Sequence, residues 1–386
     1  MIKGFKIRIF PTPEQENHIQ QHIDCCRATW NMLLGYNINY FTDCKKSLYL
    51  YDLSKILTQM KHTEDYKWMN KVSAQSLQKI CKDLSDTLRE YTTGKARLPR
   101  FKSKKFSKQA YPVSPRLSFS STYVQIEKLG KVKYQTNLYL PLGKGNKFMN
   151  PRISKQGKKW ILSLSMECEN QAYQLIDTTM GIDLGIKELA VVSFGDSKLV
   201  FHNINKTPRV KRLESKLKHL QRTVSRKYEV GNKLHPDNKY LKTGAIKRYE
   251  ELICNIYRKL SNIRKNYLHQ TTHMLVSKLP RVVGMETLNV IGMMKNRHLA
   301  NRIQKQGFYE FYRQMQYKCE ERGIVLVQAD RFYPSSKTCS HCGHINKDLK
   351  LSDRTYRCPK CGMELDRDYN AAINLAHYAG AILETA

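Results

Sequence analysis

Four cysteines in two closely spaced pairs carry the clearest chemistry in this chain. Cys339 and Cys342 form one C-x2-C pair, and Cys358 and Cys361 form the other after fifteen intervening residues. Two tight loops that each present two thiolates complete the tetrahedral shell of a structural zinc ion. A glycine follows each pair, where a knuckle turn needs backbone angles that other residues avoid. The spacing therefore predicts one zinc ribbon, and the alternative of four unrelated thiols explains it less well.

Three carboxylates that lie far apart in the sequence are the second candidate for chemistry. Asp183 lies in an apolar strand, Glu286 at the exit of a short buried strand, and Asp368 at the start of a helix. The surrounding order β-β-β-α-β-α-β-α brings these positions to one end of a mixed sheet. Hard oxygen ligands suit magnesium or manganese, and two such ions roughly 3.5–4 Å apart activate a water at a phosphodiester. The alternative is that each carboxylate caps a helix or pairs with an arginine.

The amino-terminal half supplies a scaffold of one strand, several helices and then a β-rich region. Residues 2–10 alternate apolar and basic, which indicates a strand. Thr12 then caps a helix with Pro13 at its first position, and we expect this helix to run to about Tyr36. Helices are also expected over 50–61 and 70–91. Strands at 123–126, 133–134, 138–140 and 160–166 predict a small β-barrel to which residues 2–10 contribute.

The pattern changes at about Asp177 to strands separated by long helices. Strands over 179–185, 189–194 and 198–204 open in the way an RNase H-like fold opens. Helices over 208–228 and 244–279 repeat apolar residues every three or four positions, which is typical of an antiparallel helical hairpin. The remaining expected elements are a strand at 281–286, a helix at 307–322, a strand at 324–328 and a helix at Tyr369–Ala379.

The charge of the chain indicates a polyanionic partner. Among its 386 residues, 67 are basic and 33 acidic, giving a net charge of +34. The basic residues are spread along nearly the whole length among 23 tyrosines, which favours a long nucleic-acid channel over a membrane-binding helix or tail. We find no run of eighteen apolar residues and no signal-peptide core, and the other cysteines show no framework spacing. These observations predict a cytoplasmic protein with reduced thiols.

Two stretches are candidate nucleic-acid contacts. Residues 94–108 hold seven basic residues in fifteen, with phenylalanines between them that offer stacking positions. The helix at 70–91 leaves polar and basic side chains outside its apolar face, although such a face is often only solvated. The residues we name as contacts are Arg97, Arg100, Lys102, Lys104 and Lys105 in the loop, and Ser73, Gln75, Gln78 and Lys82 on the helix.

Several motifs together resemble those of TnpB, a family of RNA-guided nucleases encoded by bacterial and archaeal insertion sequences and related to the miniature type V CRISPR nucleases. The motifs are K-I-R-I-F-P-T-P-E-Q, L-P-R-F-K-S-K-K, G-I-D-L-G, V-V-G-M-E-T-L, D-R-F-Y-P-S-S-K-T-C-S-H-C-G, and R-C-P-K-C-G followed by D-R-D-Y-N-A-A-I-N. The resemblance covers essentially the whole chain, and the last two blocks are the most specific.

The resemblance implies an α+β multidomain architecture in which a wedge β-barrel contains an inserted helical recognition lobe and precedes a RuvC nuclease domain with an inserted zinc ribbon. The expected bounds are 1–10 and 92–176 for the wedge, 11–91 for the lobe, 177–334 and 364–386 for the RuvC domain including the hairpin 208–279, and 335–363 for the ribbon.

The resemblance also implies an activity and its partners. We expect a magnesium-dependent DNA endonuclease, with manganese as a possible substitute, that carries a guide RNA from the transposon end and cuts double-stranded DNA beside a short adjacent motif. The protein would be a monomer in a ribonucleoprotein associated with the nucleoid. Two alternatives stay open, namely a catalytically silent RNA-guided regulator and an accessory transposase.

The family motifs assign site residues to this sequence. Asp183, Glu286 and Asp368 match the acidic triad, and Arg354 matches an arginine that helps to hold the scissile strand. Asp366 is the alternative to Asp368, because residues two apart on an extended segment point the same way. We favour Asp368, because a rigid helix fixes its carboxylate, whereas Asp366 would pair with Arg367 or a neighbouring lysine.

Overall fold

The computed structural model describes residues 1–136, 140, 147–157, 159–169, 172–238, 240–350 and 352–385. It divides into two compact units, Met1–Glu169 and Asn170–Ala386. Within the described residues, none of the helices combines the length and the apolar character that crossing a bilayer requires. The mixture of sheets and helices confirms the α+β fold class.

The first unit contains a seven-stranded sheet with the amino-terminal strand in its middle. The strands are β1 (Ile2–Phe10), β2 (Ala110–Pro112), β3 (Ser118–Phe119), β4 (Tyr123–Ile126), β5 (Gly130–Gln135), β6 (Phe148–Gln156) and β7 (Lys159–Glu167), in the order β2-β6-β7-β1-β5-β4-β3. β1 pairs antiparallel with β7 along nearly its whole length and with β5 at its end.

The strands predicted at 2–10, 123–126, 133–134 and 160–166 are confirmed. The strand predicted at 138–140 falls largely on residues outside those that the structure describes. The sequence analysis missed β2, β3 and β6. β6 escaped because Asn150, with φ of 50°, and Pro151 interrupt its alternation, and the pairing with β7 shifts register between Met149 and Arg152.

The helices of the first unit are α1 (Pro13–Cys44), α2 (Leu50–His62) and α3 (Ala74–Thr92), with a 3-10 segment at Glu64–Lys71. Thr12 and Gln15 form the reciprocal capping box that starts α1, which confirms the predicted cap. α1 runs eight residues beyond the predicted end at Tyr36, because Asn37 is buried and donates to the carbonyl of Leu48. α3 begins later than predicted because the preceding residues form the tighter 3-10 helix. These helices and one face of the sheet share a hydrophobic core.

The second unit is built on a five-stranded mixed sheet. Its strands are β8 (Ile176–Leu184), β9 (Glu188–Phe194), β10 (Ser197–His202), β11 (Pro280–Met285) and β12 (Val325–Gln328), in the order β10-β9-β8-β11-β12. β8, β9 and β10 are antiparallel neighbours, whereas β11 lies parallel to both β8 and β12. The predicted RNase H-like opening of three antiparallel strands is therefore confirmed.

Among the described residues, the α-helices of the second unit are α4 (Pro208–Leu234), α5 (Gly244–Val276), α6 (Val290–Met294), α7 (Arg297–Gln306), α8 (Phe308–Arg322) and α9 (Arg367–Thr385). α4 and α5 form the predicted hairpin, with Leu217, Leu220, Ile256 and Leu260 buried along its seam. The sequence analysis missed α6 and α7, because they are short and α7 is mostly charged or polar.

The sheet is covered on both faces. Met180 and Ile182 of β8 point into a core formed with α5 and α8, which includes Leu275 and Phe311. α9 covers the other face, where it contacts β8, β9 and β11. Because side chains alternate along a strand, residues 181 and 183 of β8 face α9.

Candidate active site and metal centre

The register of β8 and β11 places two of the predicted carboxylates side by side. Gly181 pairs with Gly284, and Ile182 pairs with Met285 in the parallel ladder. The next residues along these strands are Asp183 and Glu286, so both carboxylates leave the same end of the sheet. Because Asp183 follows Gly181 by two positions, and Glu286 follows Gly284 by two, each acid shares a face with its glycine.

The paired glycines let α9 lie directly on the sheet. A Cβ atom on Gly181 would stand 1.8 Å from the carbonyl oxygen of Ala372, and one on Gly284 would stand 2.1 Å from that of Leu375. No side chain fits there unless the helix moves. This close approach brings Asp368, in the first turn of α9, to the end of the sheet that carries the other two acids.

The electrostatics of Asp183 indicate that the three predicted acids lie near one another. Desolvation raises the pKa of the Asp183 carboxyl well above its usual range, and Glu286, Asp368 and Asp366 raise it further in that order. Arg367 opposes the shift in part. A cluster with this much negative charge in a partly dehydrated place is stabilised by protons or by bound cations.

Hydrogen bonds hold Glu286 at its carboxylate and at the residues that precede and follow it. The hydroxyl of Ser335 donates to its Oε1 over 2.6 Å. The preceding carbonyl, of Met285, accepts from the amide of Ala329 at 2.8 Å, and the hydroxyl of Thr287 donates to the carbonyl of Ala329 at 2.6 Å. The end of β12 thus fixes the position from which this carboxylate projects.

Asp366 and Asp368 have different partners. The Oδ1 atom of Asp366 accepts from the amide of Tyr369 at 3.0 Å and lies 3.4 Å from the ammonium of Lys198. Asp368 lies 3.4 Å from the guanidinium of its neighbour Arg367. Asp366 therefore caps the helix and pairs with a lysine, in line with the expectation for the alternative residue. Which of the two is catalytic stays a prediction.

The donor set of the acidic cluster fits hard divalent cations. Carboxylate oxygens are the ligands that magnesium and manganese prefer. Within the part of the chain that the structure describes, the four cysteines form the one group whose ligand atoms all lie within 4.8 Å of one another.

The four predicted zinc ligands come together. The sulfur atoms of Cys339 and Cys361 lie 3.6 Å apart, as do those of Cys342 and Cys358. A zinc tetrahedron with bonds of about 2.3 Å has edges of about 3.8 Å, so the group fits zinc closely. Both knuckle glycines have positive φ, 72° and 73°. The cysteines pack around the buried ring of Tyr356.

The root of this knuckle is fastened to α9 by two buried asparagines. Asn370 and Asn374 both donate to the carbonyl of Thr338 at 2.7 Å, and Asn374 also donates to that of Ser335 at 2.7 Å. Asn370 in turn accepts from the amide of Ser340 at 3.0 Å. The short strands β13 (Thr355–Arg357) and β14 (Glu364–Asp366) return the chain from the knuckle to α9.

Arg354 lies beside the start of α9. Its carbonyl accepts from the amide of Arg367 at 2.8 Å, and its side chain is exposed. This backbone hydrogen bond places Arg354 next to the segment that carries Asp366 and Asp368.

The candidate contacts on α3 divide by burial. Gln78 and Lys82 are exposed and Gln75 is half-buried, and these three line a cleft of about 530 Å³ against Pro112, Val113 and other residues of the first unit. Ser73 is only 3% exposed at the start of the helix, so its side chain lies outside this accessible surface.

The candidate basic loop is anchored on α1. Trp30 donates to the carbonyl of Arg100 at 3.1 Å, and Asn31 exchanges two hydrogen bonds with the backbone of Lys102. The ammonium of Lys102 lies 3.3 Å from the centre of the Trp30 ring, and burial lowers the pKa of this lysine to about 8. The side chains of Arg97, Arg100, Lys104 and Lys105 are exposed.

The sequence analysis missed the residues that support these sites. Ser335, Asn374 and the two sheet glycines carry no catalytic signature of their own. The sequence does contain one signal for the glycines, because a glycine stands two residues before the acid at both β8 and β11. The anchoring role of Trp30 and Asn31 needed the packed structure.

Three family models match separate parts of the chain. A model described as "Helix-turn-helix domain" matches residues 1–46, one described as "Probable transposase" matches 163–297, and one described as "Cas12f1-like, TNB domain" matches 308–375. Residues 1–46 fold here as β1 and the single long helix α1, so the name of the first model does not describe their structure.

Curated relatives match nearly the whole chain. A protein of Streptomyces pristinaespiralis named "Putative RNA-guided DNA endonuclease" is 28% identical over 97% of this chain and 88% of its own length. InsQ of Escherichia coli K12, which carries the same description, is 26% identical over 99% of this chain and 93% of its own. A CRISPR-associated endodeoxyribonuclease, Cas12f1 of Sulfoacidibacillus thermotolerans, is 29% identical over 56% of this chain and 50% of its own.

A solved structure shares the fold. The protein of a Cas12f1–sgRNA–target DNA complex matches with a TM-score of 0.58 and 14% identity, over 97% of this chain and 98% of that one. The sheet order, the acidic residues at the strand ends and the cysteine knuckle define an RNase H-like domain with an attached four-cysteine ribbon. The family models and the relatives support the resemblance of the chain to the TnpB family.

Proposed function

We propose that this protein is an RNA-guided DNA endonuclease of a transposable element. The observation that carries the proposal is the meeting of Asp183, Glu286 and Asp368 at one end of an RNase H-like sheet. Two further facts support it: the relatives that match 97% and 99% of the chain bear that activity in their names, and the net charge of +34 suits nucleic-acid partners.

The reaction we propose is hydrolysis of a phosphodiester by a RuvC-type site. Magnesium ions bound by the triad would supply a water of lowered pKa and a charge that stabilises the leaving oxygen. The chain's own part is to fix the three carboxylates on β8, β11 and α9, to limit their repulsion with Arg367, and to exclude water from part of the site. Arg354 is proposed to hold the scissile strand beside Asp368.

The knuckle is proposed to hold one structural zinc ion. Its four thiolates are ligands that zinc prefers, and their spacing matches a closed tetrahedral shell. The ion would fix the knuckle loop, and with it the segment 335–340 that is hydrogen-bonded to α9.

The partners we propose are a guide RNA from the transposon end and double-stranded target DNA. The guide would pair with the target strand, while the protein would hold the heteroduplex by charge and shape. Gln75, Gln78 and Lys82 in the cleft of the first unit are candidates for reading the short adjacent motif, and the exposed basic side chains of the 97–105 loop are candidates for phosphate contacts. The proposal also includes the domain bounds given from the sequence and an association with the nucleoid.

The proposal is tested with protein purified together with its co-transcribed RNA. Sequencing that RNA identifies the guide, and a matching DNA target with a randomised flank is then offered with magnesium. We expect cleavage beside one short motif, and we expect Asp183→Ala to bind the same target without cutting it. Target binding without cleavage by the unaltered protein would instead indicate a silent regulator, and joined transposon ends would indicate a transposase.

A further inference from the structure

We infer that Ser335 is a positioning residue that orients Glu286 for divalent-cation binding. The inference rests on the proposed function, since it assigns a support to the same acidic site. It starts from the bond between the Ser335 hydroxyl and Oε1 of Glu286, the shortest contact described for this carboxylate, at 2.6 Å.

The bond has the features of a built contact. Ser335 is only 3% exposed, so water does not compete freely for its hydroxyl. A hydroxyl donor engages one carboxylate oxygen and restricts rotation of the group, which leaves the second oxygen free for a cation. Ligating carboxylates are commonly held in this way, and losing the supporting partner typically lowers metal affinity by about 10- to 100-fold.

The position of Ser335 is itself fixed from α9. The carbonyl of Ser335 accepts from Asn374 at 2.7 Å, and its amide donates to the carbonyl of Tyr333 at 2.8 Å. Asn374 is 3% exposed and belongs to the helix whose first turn carries Asp368. One helix therefore supplies one acid of the cluster directly and orients a second through the serine.

The same segment leads into the knuckle. Ser335 lies four residues before the first zinc ligand, Cys339, and the turn between them is closed by bonds from Thr338 to the carbonyl of Pro334 at 2.9 and 3.0 Å. Asn370 and Asn374 hold both ends of this turn. The zinc loop and the carboxylate of Glu286 are thus joined by one short, hydrogen-bonded segment.

The test is a titration of the full-length chain with manganese alone, followed by electron paramagnetic resonance, with zinc content and melting temperature measured on each variant. Asp183→Ala identifies the manganese that binds at the acidic cluster. We expect Ser335→Ala to weaken that binding by about tenfold. Ser335→Thr, which keeps the hydroxyl, should return it to within about threefold of the unaltered chain. Ser336→Ala, at the adjacent half-buried serine, serves as the matched control and should bind as the unaltered chain does.

A second readout separates positioning from general damage. In a cleavage assay, Ser335→Ala should need about tenfold more magnesium for half-maximal rate, and saturating magnesium should recover most of the rate. Manganese binding by Ser335→Ala equal to that of the unaltered chain would overturn the inference. So would a Ser335→Thr variant as weak as Ser335→Ala, zinc loss in either variant, or the absence of any manganese signal that Asp183→Ala removes. If manganese binds and depends on Ser335 but no DNA is cut, the inference survives and the proposed function fails.

Discussion

At the scale of single residues, the site depends on charges that no local interaction neutralises fully. Burial raises the pKa of the Asp183 carboxyl, and three neighbouring acids raise it further against one opposing arginine. The chain stabilises this arrangement through the packing of α9 and the bonds to Glu286. A cluster of this kind favours a cation over a structural role for the acids.

The two aspartates before α9 should differ in their effect on cleavage. We predict that Asp368→Ala abolishes cleavage at every magnesium concentration while RNA binding persists, because Asp368 lies near enough to Asp183 to raise the pKa of that carboxyl. Asp366→Ala should retain measurable activity, because Asp366 caps the helix and pairs with Lys198. Single-turnover cleavage by the two variants checks this, and the reverse order of activities would show that Asp366 is the third acid.

A buried histidine in the first unit should make stability depend on pH. His22 is 3% exposed, its Nδ1 lies 2.8 Å from the carbonyl of His18, and burial lowers its pKa below the ordinary 6.5. The unfolded chain therefore binds more protons than the folded chain below that value, so stability falls as the pH falls through it.

We predict that His22→Phe removes this loss, because the aromatic ring is kept and the titrating nitrogen is not. The measurement is the change in melting temperature between about pH 7.5 and about pH 5.5. His62→Gln, at an exposed histidine of α2, is the control and should keep the pH response of the unaltered chain. An unchanged response in His22→Phe would show that another group titrates.

At the scale of elements, two glycines decide where α9 lies. Gly181 and Gly284 pair across β8 and β11, and the backbone of α9 occupies the space that their side chains would need. The sequence contains this information only as two glycines in separate motifs. Their common function becomes visible once the register is known.

We predict that Gly284→Ala displaces α9 and lowers cleavage by about a hundredfold, since a shift of about 1 Å at a catalytic group costs about that much. The overpacking should also cost about 1–3 kcal/mol of stability. Gly231→Ala is the control, because Gly231 lies within α4 with nothing inside 4 Å of a new Cβ. Unaltered cleavage by Gly284→Ala would mean that α9 does not need this contact.

The knuckle should lose its metal when two ligands are replaced. We predict that Cys358→Ser combined with Cys361→Ser removes one equivalent of zinc and lowers the melting temperature, because structural zinc contributes to folding directly. Elemental analysis measures the zinc. Cys254→Ser, at an exposed cysteine of α5, should keep the full content. Full zinc content in the double variant would refute the assignment.

Sequence patterns predicted the elements best where periodicity is regular. The strand at residues 2–10, the capped start of α1, the hairpin seam and the strand of Asp183 all follow from alternation, capping and heptad-like spacing. α6, α7 and β6 were missed because charged residues, a proline and a register shift hide their periodicity. α1 extends further than predicted because the buried Asn37 donates to the carbonyl of Leu48, a contact that the local sequence does not reveal.

The residues of the candidate site also differ in how well the sequence predicted them. Motif spacing located the four cysteines and the three acids, because ligand chemistry restricts residue type strongly. The contacts of Ser335, Asn374 and Lys198 involve residue types that occur everywhere, so only their three-dimensional neighbours reveal them. The burial of Ser73 likewise depends on packing between elements.

At the scale of the whole molecule, a strongly basic chain contains an acidic site. The charge of +34 gives a surface that binds polyanions without regard to sequence, whereas the cluster around Asp183 needs cations before a phosphate can approach. We propose that a bound guide RNA supplies most of the specificity and that the protein itself reads only the short adjacent motif. The central claim is therefore that the guide RNA selects the DNA that is cut.

The most direct test is to exchange the guide segment of the co-purified RNA for an unrelated sequence and to measure single-turnover cleavage of both DNA targets. The account predicts that cleavage moves to the new target, beside the same short adjacent motif, and disappears from the old one. It also predicts that Asp183→Ala binds the new target without cutting it. Cleavage that stays at the old target, or that no longer depends on any guide, would contradict the account.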